Sequence, residues 1–320
     1  MRGGPLICGG TPPPGAAHWD PVDSPARALP PSSDPVGDVL VDWFARAARD
    51  LPWRRPDTDP WAVLVSEVML QQTPVARVEP VWREWVARWP TPAALAAASP
   101  AEVIRAWGKL GYPRRALRLR ETAVALTERH GGVVPADVAA LEALPGIGTY
   151  TARAVACFGH GQPQPVVDTN VRRVVARLVH GRAEAAPARA ADLTDVSALA
   201  PADPARAVRF SVAVMELGAL VCVARTPQCA ACPVRGECAW RLAGHPASDG
   251  PPRRVQKFAG TDRQVRGRLL DVLRAAEGPV AAPQLDAAWD DAAQRSRCLD
   301  SLLADGLVEQ TPDGRFTLPG

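Results

Sequence analysis

Apolar residues recur along most of this chain at helical spacing. Val36, Val39, Leu40, Trp43, Phe44 and Ala47 follow an i, i+3, i+4, i+7, i+8, i+11 order, the stripe of an amphipathic helix. Similar segments follow near 60–72, 75–88, 92–97, 100–107, 114–130, 137–143, 149–158, 169–180, 188–200 and 204–221. Pro or Gly separates them, at Pro90-Thr91-Pro92, Gly131-Gly132, Gly159 to Pro165 and Pro201, as helix ends require. No alternating pattern of any length occurs before residue 240, so the pattern predicts an all-α body over 36–245 and excludes a βαβ fold. Residues 246–257 read as a linker by composition. Residues 258–320 predict three helices (262–276, 281–289, 291–305) and two short strands (307–310, 315–318) joined by Thr311-Pro312-Asp313-Gly314, a winged-helix-like order with a hairpin turn. Residues 1–35 hold nine of the 34 prolines and predict a disordered arm.

Composition adds limits. A length of 320 residues suffices for two or three domains with a core. No apolar run is long enough to cross a membrane, and the first ten residues lack the apolar stretch of a secretory signal, so a cytoplasmic protein with no membrane association is expected. The net charge of +3 says little. Of 37 basic residues, only Lys109 and Lys257 are lysine. A G+C-rich coding bias accounts for most of that, yet any chemistry needing a lysine amine has only these two sources.

Seven cysteines stand at 8, 157, 222, 229, 232, 238 and 298. Cys222-x6-Cys229-x2-Cys232-x5-Cys238 places four in one short loop, a metal site in a reducing compartment rather than a disulfide framework. Four thiolates can saturate a cubane iron–sulfur cluster or a tetrahedral zinc. Zinc sites usually offer two C-x2-C pairs, and only one is present here, which favours a [4Fe–4S] cluster. Its role would be structural, folding a loop poor in apolar residues. Arg225, Arg235 and Arg241 near it suit phosphate contact.

Leu141 to Ala152 reads as helix, Pro145-Gly146-Ile147-Gly148 turn, helix. Glycines there permit positive φ and leave backbone N–H groups open at a helix N-terminus, where an anion is favoured. A plain helix–helix turn would look the same in this segment alone. Glu67 is the single charge between Trp61 and Ala76. A lone carboxyl in an apolar helix is desolvated and its pKa rises, which suits a general acid, unless it lies on an exposed stripe. Asp168 opens a helix, either as a simple N-cap or as a carboxylate kept ionised by the helix dipole. One protonated and one charged carboxyl suit acid-plus-stabiliser chemistry at a glycosidic carbon.

Four motifs in order carry a family resemblance: Ser66-Glu67-Val68-Met69-Leu70-Gln71-Gln72-Thr73, Leu144-Pro145-Gly146-Ile147-Gly148-Thr149-Tyr150-Thr151, Val167-Asp168-Thr169-Asn170, and the cysteine spacing. Over about 36–245 the chain resembles MutY-type adenine DNA glycosylases, in the helix-hairpin-helix superfamily that includes endonuclease III. The resemblance implies removal of adenine mispaired with 8-oxoguanine or guanine, after the nucleotide is flipped into a pocket. Glu67 matches the acid that protonates adenine N7. Asp168 matches the carboxylate that stabilises the oxocarbenium sugar. Tyr150 and Asn170 match residues that position this pair. Leu70, Gln72 and Tyr112 match residues that wedge into the base stack, and Trp53 and Arg54 match the pocket entrance. Gly146, Gly148 and Thr151 belong to the phosphate-gripping hairpin. The implied partner is double-stranded DNA carrying the mispair, bound by a monomer on the bacterial nucleoid.

Bifunctional relatives carry a lysine where Tyr150 stands, and the nearest lysine in sequence is Lys109, so a monofunctional enzyme is expected. The chain departs from the family in three places. Thr169 replaces a glycine, Pro113 stands where a second tyrosine is frequent, and no MutT-like module that would read 8-oxoguanine is recognisable. Residues 258–320 carry seven Arg against ten Asp and Glu, which argues against broad DNA contact there. The Arg-rich stretch of Arg253, Arg254, Lys257, Arg263, Arg266 and Arg268 could still touch phosphates, with plain packing the equal alternative. Two other functions fit parts of the pattern. A thymine-directed or endonuclease III-like glycosylase shares the fold, but thymine has no N7 for Glu67 to protonate. A non-catalytic iron–sulfur DNA-binding protein would have no use for Glu67 and Asp168.

Overall fold

A computed structural model describes residues 35–248 and 258–320. The arm expected over 1–35, apart from Pro35, and most of the expected linker lie outside the described residues. The body comprises α1 (Val36–Ala47), α2 (Pro60–Leu70), α3 (Val75–Arg88), α4 (Pro92–Ala96), α5 (Pro100–Trp107), α6 (Arg114–His130), α7 (Val138–Glu142), α8 (Thr149–Phe158), α9 (Thr169–Leu178), α10 (Ala191–Leu199), α11 (Pro204–Leu220) and α12 (Ala239–Leu242). The C-terminal part adds α13 (Asp262–Ala275), α14 (Ala282–Asp286), α15 (Ala292–Ala304) and an antiparallel pair, β1 (Glu309–Gln310) and β2 (Phe316–Thr317). No helix among the described residues is long and apolar enough to cross a membrane.

The body buries two apolar clusters. Residues from α2 to α8 form one, rich in tryptophan, with Trp61, Trp85 and Trp107 almost fully enclosed. Residues of α1, α9, α10 and α11 form the other, which continues into the cysteine loop through Val234. A small third group (Ala154, Cys157 and Val166, with Tyr150, Phe158 and Met215 against it) lies where the two meet. The first two clusters each bury their own helix faces, so the seam between them is where polar side chains can gather.

Helix α2 is central to the first cluster. Asp59 accepts from Trp61 N at 2.8 Å and Pro60 occupies the first turn, where a missing N–H costs nothing. Its apolar residues run all round, so it is buried from Trp61 to Met69 apart from the half-buried Ala62. The Trp82 indole donates to Ala62 O at 2.9 Å, fixing α3 against it. At its end the backbone turns through Gln72, which has φ +56°. Arg115 of α6 donates to Val68 O (2.7 Å), Met69 O (3.1 Å) and Gln71 O (2.7 Å). One guanidinium thus satisfies carbonyls that the helix end leaves without partners.

The C-terminal elements enclose their own apolar group, which Ile104 of α5 enters. Arg274 donates to Ile104 O at 3.2 Å and Arg105 to Ala276 O at 3.3 Å. Asp305 pairs with both Arg266 (2.6 Å) and Arg114 (3.1 Å). Arg266, a candidate for phosphate contact, is therefore spent inside this junction.

Two glycines mark close approaches. Gly146 has φ +77°, and a Cβ there would meet Arg118 at 3.0 Å. Gly148 instead is extended, at φ −101°, and caps α8, so only one of the two hairpin glycines uses the left-handed region. On α11, a Cβ on Gly218 would stand 2.7 Å from Asn170 Cβ. Gly218→Ala is expected to lower unfolding free energy by roughly 1–3 kcal/mol through forced separation of α9 and α11, measured by urea denaturation. Unchanged stability would show that this contact yields freely.

Candidate active site

The seam opens as a cleft of about 1020 Å³ lined by Trp53, Arg54, Glu67, Leu70, Gln72, Tyr150, Asp168 and Asn170, together with Arg49 and Glu216. Glu67 comes from α2, Tyr150 from the first turn of α8, and Asp168 from the N-cap of α9, so three helices converge on it. Side chains separated by a hundred residues meet because their helices pack along the seam between the two clusters.

Glu67 is 6% exposed. Burial pushes its carboxyl up to about 7, and nearby Asp168 adds to the rise, while Tyr150 and Arg54 oppose it. The Tyr150 hydroxyl donates to Glu67 Oε2 at 2.9 Å. Burial first, then the two carboxylates, push the Tyr150 hydroxyl well above its ordinary value, so it remains a donor.

Asp168 accepts from Val171 N at 2.7 Å on one oxygen and from Asn170 Nδ2 at 2.8 Å on the other. It is both N-cap and cleft residue. Burial raises its pKa from the ordinary carboxylate value, and the hydrogen bonds and the Arg173 charge offset this only in part. Asn170 is held in turn by Arg173, which donates to Asn170 Oδ1 (2.8 Å), Gly218 O (2.6 Å) and Cys222 O (2.8 Å).

Glu216, Arg49 and Arg115 escaped sequence reasoning, whereas Arg54 was expected at the pocket entrance. Glu216 of α11 is fully buried and pairs with Arg49 (2.6 Å) and Arg54 (2.9 Å). Burial would raise it, but hydrogen bonds and charge from Arg49 and Arg54 outweigh burial and hold it at about 2. The signal that marked Glu67, one acid in an apolar helix, was present here too between Phe210 and Leu220. Arg54 Nη1 is buried without a protein acceptor, a donor left over at the cleft. Burial lowers Arg115 to about 10. Its position carried no sequence signal, since its acceptors are backbone carbonyls.

The remaining candidates lie at the edge of the cleft or outside it. Trp53 lines it but is buried edge-on against Trp82, at 5.6 Å between ring centroids. Tyr112, Gly146 and Gly148 are exposed on the surface. Thr151 requires correction: it is 3% exposed and its hydroxyl lies 3.4 Å from Gln71 Nε2. The pitch of α8 turns it inward one residue after Tyr150, so its side chain cannot reach a phosphate. Lys109 is the only lysine among the described residues and lies 3.9 Å from Asp271, away from the cleft.

The four loop cysteines line a second, small cavity of about 20 Å³ with Arg177, Arg235, Trp240 and Arg241. Among the described residues no set of His, Cys, Asp or Glu side chains closes tightly enough for a single metal ion. Arg177 is 4% exposed, donates to Cys222 Sγ at 3.4 Å, and lies 4.8 Å from the Trp240 ring centre.

Residues 65–195 match the family described as HhH-GPD superfamily base excision DNA repair protein. The chain is 64% identical over 283 residues to an adenine DNA glycosylase of Mycobacterium tuberculosis, covering 88% of this chain and 92% of that one. Its fold is similar to that of a thermostable thymine-DNA glycosylase (TM-score 0.59, 26% identity, 65% of this chain and 95% of that one). It is also similar to endonuclease III in a non-covalent DNA complex (TM-score 0.56, 25% identity, 65% and 94%). On these likenesses the chain belongs to the adenine DNA glycosylases, within the helix-hairpin-helix superfamily of base-excision repair proteins.

Proposed function

We propose that this chain releases adenine mispaired with 8-oxoguanine or guanine in double-stranded DNA, and that it is monofunctional. The observation that carries the reading is the environment of Glu67: a carboxyl kept out of water, held by a hydroxyl donor, and raised to about 7 beside a second carboxyl. Such a group keeps a large protonated fraction near neutral pH and suits a general acid.

The flipped nucleotide enters the cleft between the two clusters. Glu67 gives its proton to adenine N7, and the glycosidic bond breaks with its electron pair leaving on the base. Asp168 faces the cationic sugar and stabilises it by charge. Water then adds at the sugar carbon and its proton returns to a carboxylate. Tyr150 keeps Glu67 oriented, and Asn170 does the same for Asp168. Arg54, fixed by Glu216, offers its remaining N–H to the base. Among the described residues that line the cleft there is no amine, so Schiff-base strand cleavage finds no nucleophile among them.

Cys222, Cys229, Cys232 and Cys238 would hold a [4Fe–4S] cluster. Zinc, with Zn–S near ~2.3 Å, needs four sulfurs drawn within about 4 Å of one another. The four cysteines line one cavity, only one of their spacings is C-x2-C, and the Arg177 N–H directed at Cys222 Sγ suits a net-negative cluster, which together support the cubane. When bound, the cluster would fasten the loop after α11 and the Arg173 contacts made there.

In single-turnover assays on A·8-oxoG and A·G duplexes, Glu67→Gln is expected to slow adenine release by roughly 10²–10⁴-fold and Asp168→Asn by about 10²–10³-fold. Activity retained in either variant would refute the mechanism, and efficient borohydride trapping with strand cleavage would refute monofunctionality. Because the protonated Glu67 is the active form, kcat/KM should fall as pH rises through about 7.

The same shift bears on stability. Between the ordinary value of 4.5 and about 7 the folded state binds the extra proton, so stability declines as pH rises across that window and is level above it. Glu67→Gln should therefore stabilise the fold at pH 8 by on the order of 3 kcal/mol relative to pH 4. Denaturant titrations at the two pH values test this. Purified protein should carry about four iron atoms and a visible charge-transfer band; zinc with no iron would overturn the cluster assignment.

A further inference from the structure

Tyr112 stands on the surface at the turn between α5 and α6, away from the catalytic cleft. It is 43% exposed and has φ +49°, next to Gly111 at φ +85°. A bulky residue in the left-handed region is strained and persists only when its surroundings hold it. Here two guanidiniums do so. Arg115 lies 5.7 Å from the ring centre on the body side. Arg263, in the first turn of α13, lies 4.8 Å from it and donates to the Tyr112 hydroxyl. The neighbouring carboxylate that could divert Arg263 is occupied, since Asp262 accepts from Gln294 and Arg297, each at 2.9 Å. Helix α13 is fixed to α5 and α6 along its length, by Asp305 and its two arginines near the helix start, by Ile104, and by Arg274 in the last turn. Arg263 therefore acts from a rigid platform that belongs to the C-terminal part of the chain.

We infer that Arg263 is a positioning residue for DNA binding: the C-terminal part holds the Tyr112 ring ready to enter the base stack, through a cation–π and hydroxyl clamp. This rests on the reading of Tyr112 as a wedge beside the mispair. It gives the acidic C-terminal part a task that needs no broad phosphate contact. It reaches the duplex through one aromatic side chain of the body.

The test uses the full chain and a duplex carrying a tetrahydrofuran abasic-site analogue opposite 8-oxoguanine, so that binding is read without catalysis. Arg263→Ala is expected to weaken binding about tenfold with no change in melting temperature. Arg263→Lys, which keeps a cation over the ring, should stay within about threefold of the parent. In a Tyr112→Ala background, Arg263→Ala should cause no further loss. The clamp is overturned if Arg263→Ala loses the same factor in both backgrounds, which would mean a direct DNA contact. Parental binding by Arg263→Ala overturns it too, as does tighter binding, which would mean a latch holding Tyr112 back. Adenine release by the same proteins is measured in parallel. No release by the parent, with the binding pattern intact, would remove the adenine assignment and leave the clamp standing.

Discussion

Everything at the catalytic seam depends on keeping the Glu67 carboxyl out of water. Desolvation raises its pKa to about 7, and desolvation is a property of the packing rather than of the residue. It requires α2 to be apolar on all sides, α3 and α8 to cover it, and its C-terminal carbonyls to be satisfied without a polar neighbour beside Glu67. Arg115 meets the last requirement from a distance along the helix. Ionising this buried carboxyl above pH 7 costs free energy that the fold would keep if Glu67 were neutral at all pH values. That is the usual relation between a working site and the stability around it.

Glu216 shows what the same sequence signal becomes with different neighbours. Both acids are lone charges in apolar helices, and both are buried. Glu216 meets Arg49 and Arg54 and is held near 2, an anchor that never titrates in the physiological range. Glu67 meets a tyrosine hydroxyl and another carboxyl, and the Arg54 charge offsets only a small part of its desolvation. The cleft thus separates two carboxyls by the choice of partner, cations for one and a neutral donor for the other. Arg54 links them: its charge modestly lowers Glu67 while its geometry is set by Glu216.

Support for the site extends beyond the cleft in two directions. Asp168 is tied through Asn170 and Arg173 to the backbone at Cys222, so the loop of four cysteines and the catalytic N-cap share one guanidinium. On the other side, the C-terminal helices bury their own apolar faces, take Ile104 into their core and bring Arg263 to Tyr112. The net acidity of that part is then unremarkable, because several of its carboxylates, Asp262 and Asp305 among them, are matched to arginines.

The helical body, its breaks and the order of the C-terminal elements were legible in the sequence, because helix periodicity and Pro/Gly punctuation are local signals. Glu67, Tyr150, Asp168 and Asn170 were legible as motifs, and Glu67 also as an isolated charge. What the chain could not disclose is where side chains point once helices pack. Thr151 turned inward by the pitch of α8, Asp168 raised where the helix end alone would lower it, and Gly148 extended beside a left-handed Gly146 were all settled by tertiary contacts. So were Arg115 and Arg263, whose partners are backbone carbonyls and a tyrosine on other elements. The sequence determined which groups were available, through residue type and helical phase. The tertiary structure alone decided which of them lost water and which gained a counter-charge, because desolvation and pairing depend on neighbours that lie a hundred residues away along the chain.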